Sequence, residues 1–167
     1  MGFALTILFD FLTAAGAIAT GIAAWIASGQ LRESREQART QFEDAMSREY
    51  RDLIQAIPTK ALLGDELTDA EFAKAFDELY RYVDLSNEQT FLRQKGRVSK
   101  EAWENWSSGM ASNFERPAFR DAWDKIKERA SEDFAELRWL EATGFKGDPA
   151  VSPVVAPAPS DRSADRP

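Results

Sequence analysis

The 167-residue sequence contains neither histidine nor cysteine. Without histidine there is no imidazole general base, and without cysteine there is no thiolate nucleophile, thiolate zinc site, redox pair or disulfide. Cysteine usage therefore says nothing of redox compartment, and location has to be argued from hydropathy. Positive charge is also in short supply, with 21 Lys+Arg against 28 Asp+Glu and a net charge of -7. That balance lacks the concentrated basic footprint of a nucleic-acid binder, so no nucleic acid is expected as a partner. Sustained strand alternation is missing, and so is a phosphate loop. Gly96, Gly109, Gly144 and Gly147 have neither the strand-turn-helix setting nor the Lys-Ser/Thr ending of a nucleotide motif.

Charge is distributed unevenly along the chain. The only ionisable side chain in the first 31 residues is Asp10, and Phe11 to Gly29 is an uncharged run. As a helix that run is about 28 Å long, close to the ~30 Å thickness of a bilayer core. It is rich in Ala and Gly, so the expected span recruits the preceding apolar residues and covers about 8–29, within an anchor of residues 1–29. This places Asp10 near the N-terminal interface, where an acid avoids the roughly 2.5 kcal/mol or more that mid-membrane insertion costs. Asp10 as a polar contact to a partner is the alternative. A cleaved signal peptide would need a basic n-region, which is missing.

Arg32, Arg35 and Arg39 follow the run and no Lys or Arg precedes it. By the positive-inside rule these arginines are the topology determinants. The expectation is a single pass through a plasma (inner) membrane, N-terminus outside and polar part cytoplasmic, with membrane lipid as the first partner. Gly16, Thr20, Ala24 and Ser28 form a stripe of small residues, the surface that lets membrane helices pack closely into a homo-oligomer. In a span this rich in alanine such spacing also arises from composition alone.

After Gln30 the apolar residues Leu31, Ala38, Phe42, Leu53 and Ile54 recur near the helical period, which predicts a juxtamembrane helical stalk over 30–57, ended by Pro58. A helical cytoplasmic domain is expected over 58–146. Thr68 is placed to cap a helix with Glu71 as its N3 partner. That helix carries Phe72, Phe76, Leu79, Tyr80 and Val83 on one face, with a break near Asp84 and a stop at Gly96. Ser99 is the next expected N-cap, before a stripe of Trp103, Trp106, Met110 and Phe114 that reads better as core than as a stacking platform. Pro117 opens a final helix running through Trp123 and Phe134 to Leu140. The fold class is all-α: a transmembrane helix continuing into a stalk, then a small helical bundle. Residues 147–167 hold the proline-rich stretch expected to be a disordered tail.

The densest polar set is Asp84, Asn87, Glu88 and Gln89, with Arg93 one turn on. Asp84 and Glu88 share a helix face, so they could hold a divalent ion or raise one pKa. Two acids are too few ligands for a metal site, and Arg93, Lys95, Arg97 and Lys100 are ready ionic partners. Asp84, Asn87, Glu88 and Arg93 are therefore the candidate polar contact site, with helix capping and salt bridging as the plainer reading. No catalytic, metal or cofactor residue is assigned, and no cofactor is implied.

Gln30-Leu31-Arg32, Tyr82 through Gln89, Phe91 to Gly96, Trp103 to Met110 and Pro117 to Trp123 together resemble a broad group of bacterial single-pass membrane proteins with a small helical cytoplasmic domain of unknown function. The resemblance covers about Phe11 to Leu140 and implies the architecture, not an activity. This chain departs from it in the Ala/Gly-rich span, where the group has more Ile, Leu and Val. The leading expectation is a membrane-tethered interaction or scaffold module with a protein partner and without enzyme activity. The alternatives are a sensor or regulator binding a small ligand or anionic lipid, and, ranked lower, a carboxylate-dependent enzyme.

Overall fold

The computed structural model describes residues 2–130 and 132–152, with side chains from residue 25 onward except for residue 131. These residues form an all-helical protein: α1 (Gly2–Ala56), α2 (Thr59–Leu62), α3 (Asp69–Gln94), α4 (Lys100–Phe114), α5 (Pro117–Arg129) and α6 (Ala135–Ala142). The chain divides into a unit ending at Phe42 and a compact unit beginning at Glu43, and α1 contributes to both. Among the described residues no helix is long and apolar enough to cross a membrane. The expected span of 8–29 falls mainly on residues whose side chains lie outside those described, as do Asp10, Gly16, Thr20 and Ala24. Residues 153–167 of the expected tail are likewise outside them.

α1 has strong helix formers throughout its polar half, and Pro58, which lacks an N–H and disfavours helix before it, ends the run. Thr68 and Glu71 close the start of α3 reciprocally. The Thr68 backbone N–H donates to Glu71 Oε2 at 2.8 Å and the Glu71 N–H donates to Thr68 Oγ1 at 3.4 Å. Lys60 adds a 3.1 Å hydrogen bond to the same carboxylate. The Thr68 backbone bond, then the Lys60 and Thr68 side-chain bonds, hold the Glu71 carboxyl at about 2. Thr68→Ala is expected to cost about 1 kcal/mol in a denaturant melt. It is also expected to raise Glu71 only slightly in an NMR titration, because the backbone N–H of residue 68 and Lys60 still hold the carboxylate; a Glu71 back in the ordinary glutamate range would count against that account.

α3 continues through Asp84 without the expected break, and stops at Gly96. With φ of 69°, Gly96 donates its N–H to Arg93 O while the Arg97 N–H returns to Leu92 O. This is the left-handed helix ending for which glycine is the easiest residue. Ser99 caps α4 by accepting from the Ala102 N–H, and Pro117 is at the first position of α5.

The expected single helix from Pro117 to Leu140 is two helices. α5 ends at Arg129 and the chain turns before Phe134, whose φ is 60°. Arg138 holds the turn by donating to the backbone oxygens of Lys127, Ala130 and Asp133. The ring of Phe134 is buried edge-on against Tyr80 and Trp123, at 5.9 and 6.0 Å between centroids. Burial of the ring offsets a backbone conformation that side chains other than glycine adopt reluctantly.

α3 packs on α5 and α6, α4 packs on α5, and α2 packs on α5. Leu79, Tyr82, Val83, Phe119, Trp123, Leu137 and Leu140 make the centre, with Tyr82 edge-on to Phe119 at 4.9 Å. Trp103, Met110 and Phe114 of the aromatic stripe are buried in it, and Trp106 is half-buried. The compact unit is wider than the expected 58–146 at both ends. Leu53 and Ile57 are core residues, and Glu43 Oε1 accepts the Ser99 backbone N–H. At the other end Pro149 is buried and Asp148 pairs with Arg93.

Candidate functional site

The candidate polar set does not converge. Asp84 and Glu88 are exposed on the solvent side of α3. Asn87 is half-buried and accepts the Leu137 backbone N–H at 3.0 Å. Since the first residue of α6 is preceded by Phe134, which offers no side-chain cap, Asn87 supplies that cap from another helix. Arg93 faces the segment after α6. Its Nε and Nη2 donate to the two Asp148 carboxylate oxygens at 2.9 and 2.6 Å, and its Nη1 donates to Val98 O at 2.8 Å. Among the described residues no group of three or more acidic side chains is placed to hold a metal ion.

Arg93 and Asp148 form a planar, two-bond pair that fixes residues 147–150 across α3 and α4. Asp148 also accepts from the Ala150 N–H, and Trp103 Nε1 donates to Gly147 O at 3.2 Å. A Cβ at Gly147 would stand 2.6 Å from Trp139 Cη2 and 2.7 Å from Thr143 Oγ1, so glycine admits this close passage. The Arg93 hydrogen bonds keep the Asp148 carboxyl below its ordinary range.

A cavity of about 300 Å³ opens between α1, α3 and α4, entirely within the compact unit. Its carbon surface comes from Tyr50, Tyr82, Trp106 and Met110, and its polar groups are Ser47, Arg51, Gln89 and Asn105. Tyr50 and Tyr82 stand 6.3 Å apart with their rings tilted by 57°. Burial raises the Tyr82 phenol above its ordinary range, and its oxygen accepts from Asn113 Nδ2 at 2.9 Å. The phenol therefore stays neutral. No carboxylate or lysine lines the cavity. What the wall offers is a flat apolar surface, neutral hydrogen-bonding groups and one guanidinium.

Gln89 is the informative member. It is 5% exposed, yet its amide makes no hydrogen bond among the described residues. Ser86 and Thr90 beside it are buried but satisfied, bonding back to Tyr82 O and Ser86 O at 2.8 Å each. Its amide is not sealed off: the fully buried side-chain polar atom without a partner among the described residues is the Trp123 indole nitrogen, so the Gln89 amide opens to the cavity and can bond to what enters it. The sequence carried a signal for it: Tyr82, Ser86 and Gln89 follow at helical spacing on the buried side, while Asp84 and Glu88 lie on the other.

In the N-terminal unit Arg32, Arg35 and Arg39 are exposed and form no ion pair among the described residues. Ser28, the one member of the small-residue stripe whose side chain is described, is exposed and donates back to Trp25 O at 2.8 Å. Trp25, Ile26 and Leu31 are exposed large apolar side chains on the same helix. Compared with protein-family models, curated proteins and solved structures, the chain matches none.

Proposed function

We propose that the protein is a membrane-tethered helical module that works by protein interaction, with its compact unit on the cytoplasmic side of a bacterial inner membrane. The observation that carries the tether is the end of the uncharged run. Trp25, 77% exposed, stands with bare Ile26 and Leu31 beside bare Arg32 and Arg35 on one helix. An indole and aliphatic side chains followed by arginines is the pattern of a membrane–water interface. The single-pass architecture of the proteins the sequence resembles points the same way, and the stripe of Gly16, Thr20, Ala24 and Ser28 would serve self-association within the bilayer.

The interaction role is tested by recovering the intact protein from membranes in mild detergent after brief crosslinking. A partner recovered in stoichiometric amount is expected. Recovery of the protein alone, or with abundant nonspecific proteins, contradicts the role.

A second reading, a membrane-anchored sensor or regulator, is favoured by the cavity and its open Gln89 amide. The set first expected to line such a pocket lends it no support, because Asn87 and Arg93 are engaged in capping and ion pairing. A carboxylate-dependent enzyme has less behind it still, with Asp84 and Glu88 on the solvent side and no acid in the cavity wall.

A further inference from the structure

We propose that the cavity between α1, α3 and α4 is a binding site for a small planar organic acid, held by its carboxylate at Arg51 and by a second polar atom at Gln89. This deepens the ligand-binding reading, on which it rests, and is independent of the tether.

Three features define the ligand. At about 300 Å³ the cavity lies at the small end of the ~300–1,000 Å³ range of ligand clefts, which sets a compact molecule. Tyr50, Tyr82 and Trp106 give it flat aromatic walls, which suit a ring or a comparably planar body. Arg51 is the sole charged side chain on the wall, exposed, and without an ion-pair or hydrogen-bond partner among the described residues. A guanidinium pairs two-pronged with a carboxylate, and a single cation balances a monoanion where a phosphate dianion would want more.

The buried end of the site is Gln89. An amide both donates and accepts, so it orients a hydroxyl, carbonyl or ring nitrogen on the ligand's far side. Ser47 and Asn105 are also without hydrogen bonds among the described residues and add neutral contacts. Gly109 lines the same wall, and a Cβ there would meet no atom within 4 Å. A large side chain at position 109 can therefore take up the cavity without colliding with the helix neighbours.

The test is fluorine NMR of 4-fluorobenzoate and its neutral analogue 4-fluorobenzamide, titrated with the full chain in mild detergent, alongside thermal melts of each variant. The benzoate is expected to saturate one site, and the benzamide to bind at least about fivefold more weakly. Arg51→Gln is expected to weaken the benzoate about tenfold or more, the loss of one charge-assisted pair. Gly109→Leu is expected to abolish saturable binding, and also gives the baseline for partition into detergent.

Gln89→Leu separates a ligand-facing amide from a structural one. The Gln89 amide makes no hydrogen bond among the described residues that leucine, of similar size, would break, so the melting temperature is expected to hold within a few degrees while benzoate binding weakens. Equal binding of benzoate and benzamide would overturn the anion assignment and leave a ligand site standing. Absent saturable binding of both probes, or undiminished benzoate binding in folded Gly109→Leu, would overturn the site. A Gln89→Leu protein that melts well below the parent would overturn the role given to that amide.

Discussion

Arg93→Met is expected to lower the stability of the compact unit by about 2–4 kcal/mol, measured by urea denaturation at pH 7. The Arg93 and Asp148 side chains are 11% and 22% exposed, so the pair is poorly screened by solvent. Removing the guanidinium strands the Asp148 carboxylate, and it also frees Val98 O. The same change loosens residues 147–150, which bring Gly147 O to Trp103 Nε1 and bury Pro149. A loss under 0.5 kcal/mol, typical of an exposed pair, would contradict this account.

The acid side of the stability profile carries the same signature. Asp148 is held below the ordinary aspartate value, chiefly by the Arg93 hydrogen bonds. A depressed folded-state pKa means that the unfolded chain takes up protons first on acidification. Its stabilisation is therefore complete above the unfolded value near ~3.9 and is lost as pH falls from there through the folded-state value. Glu71, held at about 2, contributes with the same sign, present above the ordinary glutamate range and lost as pH falls toward 2. Arg93→Met removes the principal cause of the Asp148 shift and is expected to flatten the acid limb, leaving mainly the Glu71 part.

Trp123→Ala is expected to cost about 3–5 kcal/mol, whereas Trp123→Phe is expected to cost about 1–2. Trp123 is 2% exposed, tilted against Phe114 at 6.3 Å and edge-on to Phe134 at 6.0 Å. Lys127 and Arg138 lie over its ring at 5.3 and 5.5 Å. Deleting the ring opens a large cavity where α5 and α6 meet, and unseats the side chain that steadies Phe134 in its left-handed conformation. Phenylalanine keeps much of that contact. What it gives up includes the indole Nε1–H, the one buried side-chain polar atom without a partner among the described residues. Equal losses for the two variants in calorimetry would contradict this assignment.

The parts legible in the sequence were those whose partners lie close along the chain. Thr68 with Glu71, Ser99 before α4, Pro117 opening α5 and Gly96 closing α3 are all local chemistry, written within a turn of where they act. The break between α5 and α6 was not legible. No glycine or proline stands between Ala130 and Phe134, and the cap on α6 comes from Asn87, fifty residues earlier. The same distance hid the part played by Arg93, whose partner Asp148 belongs to a stretch read as tail by its composition. Glu43 similarly ties the end of α1 to α4, a contact that no helical period announces.

Asp84 and Glu88, acids four apart, share a face of α3, but that face is the outer one. On the inner side, Gln89 lies in a run of Ser86, Gln89 and Thr90 that looks polar and is buried. Hydropathy assigns such a run to solvent. The large Tyr82, Leu85 and Leu92 around it place it inside, and only its unpaired amide sets it apart from its neighbours.

The most direct test of the tether and its orientation is a pair of reporter fusions placed after Ser152, beyond the Asp148 contact, one fluorescent only inside the cell and one enzymatically active only outside. The expected result is a fluorescent inside reporter, an inactive outside reporter, and a fusion protein that stays with the membrane through alkaline carbonate extraction. Release by carbonate, or activity of the outside reporter in the unmodified protein, would contradict it.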